Sequence, residues 1–401
     1  MTSDTPRRDA TKIAHAGRDP KNQHGYVNPP VVRGSTRLYP TIADYEAAYS
    51  STHRYQDYAY GRILTPTSHA FEQAVAELEG GYRAVVASSG LGAVTTAVLA
   101  FAKAGDHALV VDNVYGPTRA FFDGTMSRLG VEVTYFAPDI GSGLAALIRP
   151  NTRIVFVEAP GSLTFEMCDV PAIAAAAHAA GAVVLMDNTW GTPLYFKSFE
   201  HGVDVSIHAA TKYIVGHSDA MLGVAVCTRD TYRAVKDQAV ALGQWAGPDD
   251  MYLGLRGLRT MGVRLAQHWK NGIAVAEWFR TRPEVEQVLH PALPSDPGHA
   301  IWKRDFKGAC GLFGVVLKPC PAPAVAAMVD GLELFGIGAS WGGYESLVLL
   351  AHPEKLRTAR PWAAKGPLLR FHIGLEDVED LKADLARGFD RLNAACARAA
   401  E

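Results

Sequence analysis

From about residue 65 the chain alternates two rhythms. Short apolar runs occur at AVVA (84–87), ALVVD (108–112), VEVTYF (131–136), RIVFVE (153–158), AVVLMD (182–187), DVSIH (204–208) and GVAVC (223–227). Between several of them, apolar residues recur every three to four positions, as at about 92–103, 117–129 and 171–180. Runs this short are strands, and their near-continuous apolar character fits burial on both faces. Alternation with helices makes them βαβ units. The pattern predicts an α/β fold with a mostly parallel seven-stranded sheet. The first helix has a readable start: Thr65 is an N-cap and Pro66 stands at the first helical position. Phe71, Ala74, Val75 and Leu78 then keep helical spacing up to Gly80-Gly81.

The stretch from about 230 to 280 reads as helical, with a break near Ala246-Gly247-Pro248. Beyond it come VEQVLHP (285–291), GLFGVVLK (311–318), a helix near 322–330, ESLVLL (345–350), LLRFHIGL (368–375) and a helix over about 376–395. This predicts a smaller α+β C-terminal domain. Residues 1–60 carry little period of either kind but include Tyr39, Tyr45, Tyr49, Tyr55, Tyr58 and Tyr60. Disordered tails are poor in aromatics, so an arm that docks on something is expected. The expected division is 1–60 arm, 61–258 large domain and 259–401 C-terminal domain.

Composition bounds the function. A chain of 401 residues exceeds what one core usually serves. With 48% apolar and 20% charged residues it is an ordinary globular sequence. Lys+Arg 39 against Asp+Glu 41 leaves a net charge of −2, which gives no basic footprint for nucleic acid. No apolar run approaches the roughly 20 residues of a membrane span, and the polar start lacks a signal-peptide core. A cytoplasmic protein is expected. Cys168, Cys227, Cys310, Cys320 and Cys396 are scattered without a CxxC pair, so neither a disulfide framework nor a metal site is expected.

Two short patterns point elsewhere. Ser89-Gly90-Leu91-Gly92 follows a strand and opens a helix, nearly a dinucleotide fingerprint, but the third glycine position is Thr95. A phosphate at the helix N-terminus is the more general reading. Gly338-Ala339-Ser340-Trp341-Gly342 is a literal G-x-S-x-G, but Gly342-Gly343 breaks the helix that a nucleophile elbow needs.

A stronger constellation stands at strand ends, where α/β sheets bind ligands. Asp187 ends AVVLMD, and Lys212 follows DVSIHAAT. They could form a buried ion pair. Alternatively, Lys212 carries pyridoxal 5′-phosphate (PLP) as a Schiff base with Asp187 against the pyridine nitrogen. The Ser89-Gly90-Leu91 turn and the Thr211 hydroxyl would then serve the phosphate, Tyr115 would stack on the ring, and Arg370 could bind a substrate carboxylate through its planar fork.

The segments Asp187-Asn188-Thr189-Trp190, Tyr60-Gly61-Arg62 and the run from Ser206 through Lys212 to Asp219 resemble the Cys/Met-metabolism PLP enzymes of fold type I. The resemblance covers about residues 10 to 395. It implies that Lys212 is the Schiff-base lysine, that Asp187 pairs with the pyridine nitrogen and that Tyr115 is the stacking ring. Gly90, Leu91, Ala209 and Thr211 would hold the phosphate, with Tyr60 and Arg62 reaching the phosphate of a neighbouring subunit. A homotetramer built from two such dimers follows. Arg370 would grip the α-carboxylate of an amino-acid substrate, helped by Ser340 and the backbone at Trp341, and Trp341 favours β-elimination. The implied activity is a carbon–sulfur lyase acting on L-cystathionine, with Lys212 or Tyr60 protonating the leaving sulfur. γ-Elimination or γ-replacement enzymes share these cofactor residues. A nicotinamide dehydrogenase and a non-catalytic PLP-binding regulator are the readings from other classes. Gly116, where an acidic residue is common, and Val240, where a tyrosine is expected, depart from the pattern.

Overall fold

The computed structural model describes residues 7–50, 55 and 58–400. All seven strands expected in the first half form one sheet: β1 (Arg83–Ala87), β2 (His107–Val111), β3 (Glu132–Phe136), β4 (Thr152–Glu158), β5 (Val183–Asp187), β6 (Val205–His208) and β7 (Gly223–Cys227). Their order is β1-β7-β6-β5-β4-β2-β3. Only β7 runs antiparallel to its neighbours, β1 and β6. The other pairs are parallel. The whole of β2 is buried, as continuous apolar runs require of a sheet covered on both faces.

The helix Pro66–Glu79 starts where the sequence marks it. The Thr65 and Ser68 side chains cap each other's backbone N–H, and Gly80 ends the helix at φ 88°. The single helix expected over about 117–129 is instead Gly116–Ala120 followed by a wider π-turn, Phe121–Met126. Gly124 lies within that turn, where helix propensity is weakest.

The helix Pro248–Arg280 is unbroken for 33 residues, and the division expected near residue 258 falls inside it. It gives Met251, Leu255 and Leu258 to the core around the first sheet. Nearly five turns on, Val275, Ala276 and Phe279 enter a second core. That core covers β8 (Val285–Leu289), β9 (Leu312–Leu317), β10 (Phe335–Ile337), β11 (Ser346–Ala351) and β12 (Leu368–His372), ordered β10-β11-β12-β9-β8. The helix Val378–Ala400 packs on it through Leu381, Leu385, Phe389 and Leu392.

The first residues contain more structure than their sequence suggests. Asp9–His15 and Ile42–Ala48 are helices of 7 residues each, too short for a period to register. The first is anchored by Arg259, which donates to the carbonyls of Ile13 and Ala16 at 2.5 and 2.8 Å. Leu38 and Ile42 remain 89% and 78% exposed on the single chain. Among the described residues no helix is long and apolar enough to cross a membrane.

Candidate active site

The C-terminal ends of β4, β5 and β6, the turn after β1, the loop after β2 and residues from the second sheet converge on one cavity of about 380 Å³. Eleven of the residues singled out in the sequence line it: Ser89, Gly90, Leu91, Tyr115, Asp187, Ala209, Thr211, Lys212, Ser340, Trp341 and Arg370. Tyr60 and Arg62 lie outside it. Arg62 donates to the Val240 carbonyl at 3.0 Å and sits over the Tyr60 ring.

Lys212 and Asp187 are not an ion pair. The Lys212 amine donates to the Ser340 hydroxyl at 2.7 Å and lies 5.5 Å from the centre of the Trp341 ring. Burial, aided by the nearby charge of Arg370, brings this amine down to about 8, so about a tenth of it is neutral at pH 7, far more than for an ordinary lysine. The Asp187 carboxylate receives the backbone N–H and hydroxyl of Thr189 on one oxygen, at 3.0 and 2.6 Å. Thr189 is itself held by the Ala209 N–H at 2.9 Å. Burial raises the Asp187 carboxyl above its ordinary value, against these donors.

Glu158, which the sequence reading passed over, also lines the cavity. It pairs in register with Asp187 across β4 and β5 and accepts the Tyr115 N–H at 2.8 Å. Burial and the neighbouring Asp187 push it well above a normal glutamate. The signal was present: RIVFVE ends in a carboxylate just as AVVLMD does.

The turn after β1 is built for close approach. A Cβ on Gly90 would lie 2.5 Å from the Ala209 Cβ, so only glycine lets this helix start meet the end of β6. Ser89 caps the helix Gly90–Phe101 by accepting the Gly92 N–H at 3.0 Å. The amides of Gly90 and Leu91 lie in the first turn, where no intrahelical acceptor exists and the dipole favours an anion. The dinucleotide reading fails on topology: β1 is an edge strand paired only with antiparallel β7, so no parallel βαβ crossover joins β1 to a neighbour.

The G-x-S-x-G pattern also finds a different use. Gly342 has φ 87°, and β11 rather than a helix follows. A Cβ on Gly342 would meet the Lys212 and Tyr213 backbone at 2.9 Å, so glycine lets this turn press against the lysine. Arg370 lies on β12, 7% exposed, and donates to the Ser340 carbonyl at 3.3 Å. No described carboxylate pairs with it, leaving its fork for an anionic ligand.

These features fit PLP: an amine free of carboxylates, a buried carboxylate, a phosphate-sized turn of amides and a flanking aromatic ring. A family model for Cys/Met metabolism PLP-dependent enzymes matches residues 10–390. The chain belongs to this family. As a Cys/Met metabolism PLP-dependent enzyme it has many relatives. It is 51% identical over 383 residues to a putative cystathionine β-lyase of Rhizobium johnstonii, covering 94% of this chain and 95% of the relative. It is 44% identical over 390 residues to the cystathionine β-lyase of Escherichia coli K12, covering 95% and 98%. The crystal structure of metB from Corynebacterium glutamicum superposes with a TM-score of 0.88 at 30% identity, covering 96% and 98%. The family fold accounts for both sheets and for the cavity between them. Among the described residues, no group of three or more His, Cys, Asp or Glu side chains could hold a metal ion.

Neither of the two departures from the family pattern lines the cavity, although Gly116 follows Tyr115 and the Val240 carbonyl receives Arg62. Val240 packs with Tyr55, Ile63 and Leu64. A Cβ placed on Gly116 would meet Leu356 at 3.8 Å, an ordinary contact.

Proposed function

We propose that the protein is a cystathionine β-lyase, which converts L-cystathionine and water to homocysteine, pyruvate and ammonia. The observation that carries this reading is the Lys212 amine, paired with no carboxylate among the described residues, held 2.7 Å from Ser340 and facing a cavity that also contains Arg370 and Trp341. The names of the relatives at 51% and 44% identity support the sulfur substrate.

The chemistry supplied by bound PLP is electron withdrawal from Cα of the amino acid. Lys212 would hold its carbonyl carbon, Asp187 its protonated ring nitrogen, and Gly90, Leu91, Ala209 and Thr211 its phosphate. Tyr115 would cover the ring. Arg370 receives the substrate α-carboxylate through two N–H groups. This would place the Cα proton within reach of Lys212, whose amine, once the substrate amino group has taken its place on that carbon, would be free to remove it, with Ser340 holding the amine in orientation. Trp341 covers the lysine and excludes water from the reacting bonds. The departing sulfur takes a proton from Lys212 or from Tyr60 of a neighbouring copy.

The exposed arm fits a homotetramer in which paired chains complete each other's sites. Leu38, Ile42 and Tyr26 present apolar surface that a second copy would cover. Five free cysteines are compatible with a reducing cytoplasm. The test is product identification from L-cystathionine. Pyruvate with homocysteine is expected; 2-oxobutyrate with cysteine, or no keto acid, contradicts the reading.

A further inference from the structure

One wall of the cavity is formed by the loop after β4, through Pro160, Gly161, Ser162, Leu163 and Phe165. Leu163 and Phe165 adopt left-handed backbone conformations, at φ 64° and 54°. Bulky L residues rarely take this region, and such outliers persist only where their surroundings over-determine them. The constraints are visible. Phe165 N–H donates to the Gly161 carbonyl and Gly161 N–H to the Glu166 carbonyl, each at 3.0 Å. Ser162 N–H donates to the Asn113 carbonyl at 2.8 Å, tying the wall to the strand end that leads into Tyr115.

Behind both segments lies Arg357, with only 3% of its side chain exposed. Its Nε donates to Asp112 at 2.9 Å. Its terminal nitrogens reach both Glu166 oxygens, at 2.5 and 3.3 Å, and the Thr164 hydroxyl at 3.3 Å. One guanidinium from the connection between β11 and β12 therefore clamps the wall to the segment carrying Tyr115. Asp112 is shared with Arg119 at 2.5 Å, so the clamp contains two cations and two carboxylates. Planar, five-donor geometry is needed to bridge Asp112 and Glu166 at once, which a lysine cannot do.

We propose that Arg357 is a positioning residue that holds Leu163 and Phe165 as an apolar wall against the carbon chain on the substrate sulfur, and so selects thioether amino acids over those with a free thiol. This rests on the lyase reading. An apolar wall favours each methylene it covers and offers nothing to an S–H group. One or two methylenes are worth roughly tenfold or more in discrimination.

The test uses the full-length enzyme and its Arg357→Met and Arg357→Lys variants, with two readouts. Hydrogen exchange is measured without cofactor or substrate, and kcat and KM are measured with L-cystathionine and with L-cysteine. In Arg357→Met, the amides of Gly161, Ser162 and Phe165 are expected to exchange about tenfold faster or more, while those around Lys212 keep their protection. For L-cystathionine kcat/KM falls about tenfold, mainly through KM, and for L-cysteine it stays within about twofold. Arg357→Lys falls between. Should Arg357→Met not fold, Leu163→Gly replaces it, since glycine suits the left-handed position while removing the wall; the same narrowing of preference is expected without loss of thermal stability. Unchanged exchange across 159–166, or equal losses on both substrates, overturns the proposal. A wild-type enzyme that makes no pyruvate from either substrate defeats the lyase reading instead, and the exchange readout then decides the clamp alone.

Discussion

Glu158 and Asp187 end neighbouring parallel strands in register, and both carboxyl groups line one cavity. Two such groups in a poorly solvated site cannot both carry full charge. The Asp187 carboxylate has two Thr189 donors and the nearby charge of Lys212. Glu158 is pushed further, well above its ordinary range, by burial first and then by Asp187 itself. Both carboxyls are raised by burial, Glu158 the further; on the proposed reading Asp187, with its Thr189 donors, would keep the charge that faces the cofactor, while Glu158 anchors the Tyr115 backbone.

That division predicts unequal responses to the same chemical change. Glu158→Gln keeps a neutral acceptor for the Tyr115 N–H and should retain kcat/KM within about threefold. Asp187→Asn would remove the charge proposed to hold a protonated ring nitrogen and should lose about a hundredfold or more. Steady-state kinetics with PLP affinity measured on both variants checks the contrast; equal losses would reverse the assignment.

Lys212 sets a pH dependence. Burial, then Arg370, brings its amine down to about 8, so it is protonated and non-nucleophilic below that pH and neutral above it. The rate at which apoenzyme captures PLP should rise through pH 8 and then level off. Arg370→Met removes a cation that favours the neutral amine, so its inflection should move upward. Stopped-flow absorbance of the bound cofactor reads both curves, and an inflection that stays fixed in the variant contradicts this assignment.

Asp112 should stabilise the fold at neutral pH. Burial alone would raise its carboxyl, but the Thr358 N–H and the Arg357 guanidinium outweigh burial and hold it down at about 2. Its folded value lies below the unfolded one, so its contribution is present above roughly pH 4 and is lost as pH falls through the folded value. Asp112→Asn leaves Arg119 and Arg357 without their shared anion and should cost about 3 kcal/mol at pH 7. Urea unfolding should show this gap closing towards acid pH.

Much of this arrangement was legible in the chain. Asp187 and Lys212 stand at the ends of runs whose apolar continuity marks them as central strands. Ser89-Gly90 sits where a strand gives way to a helix, and only the topology removes the dinucleotide reading. Other features depend on contacts between distant segments. Arg357 looks like any charged loop residue until folding places it between Asp112 and Glu166, 245 and 191 positions away. The left-handed Leu163 and Phe165 leave no trace in composition, because bulky residues normally avoid that conformation. β10 has only 3 residues and is held by its pairing with β11 rather than by its own pattern.

Tyr60 and Arg62 lie outside the cavity of their own chain, as residues that serve a neighbouring copy would. Arg62→Ala and Lys212→Ala enzymes should each be nearly inactive. Unfolding and refolding them together should restore about a quarter of wild-type activity, because half the dimers are mixed and each mixed dimer has one intact site. Sites completed within one chain would give no recovery.

The most direct test is to trap the bound cofactor by borohydride reduction of the holoenzyme and locate it by peptide mass spectrometry. A phosphopyridoxyl group on Lys212 alone, absent from the Lys212→Ala variant, is the predicted result. Attachment at another lysine such as Lys197 or Lys236, or no attachment at all, would contradict the account at its centre.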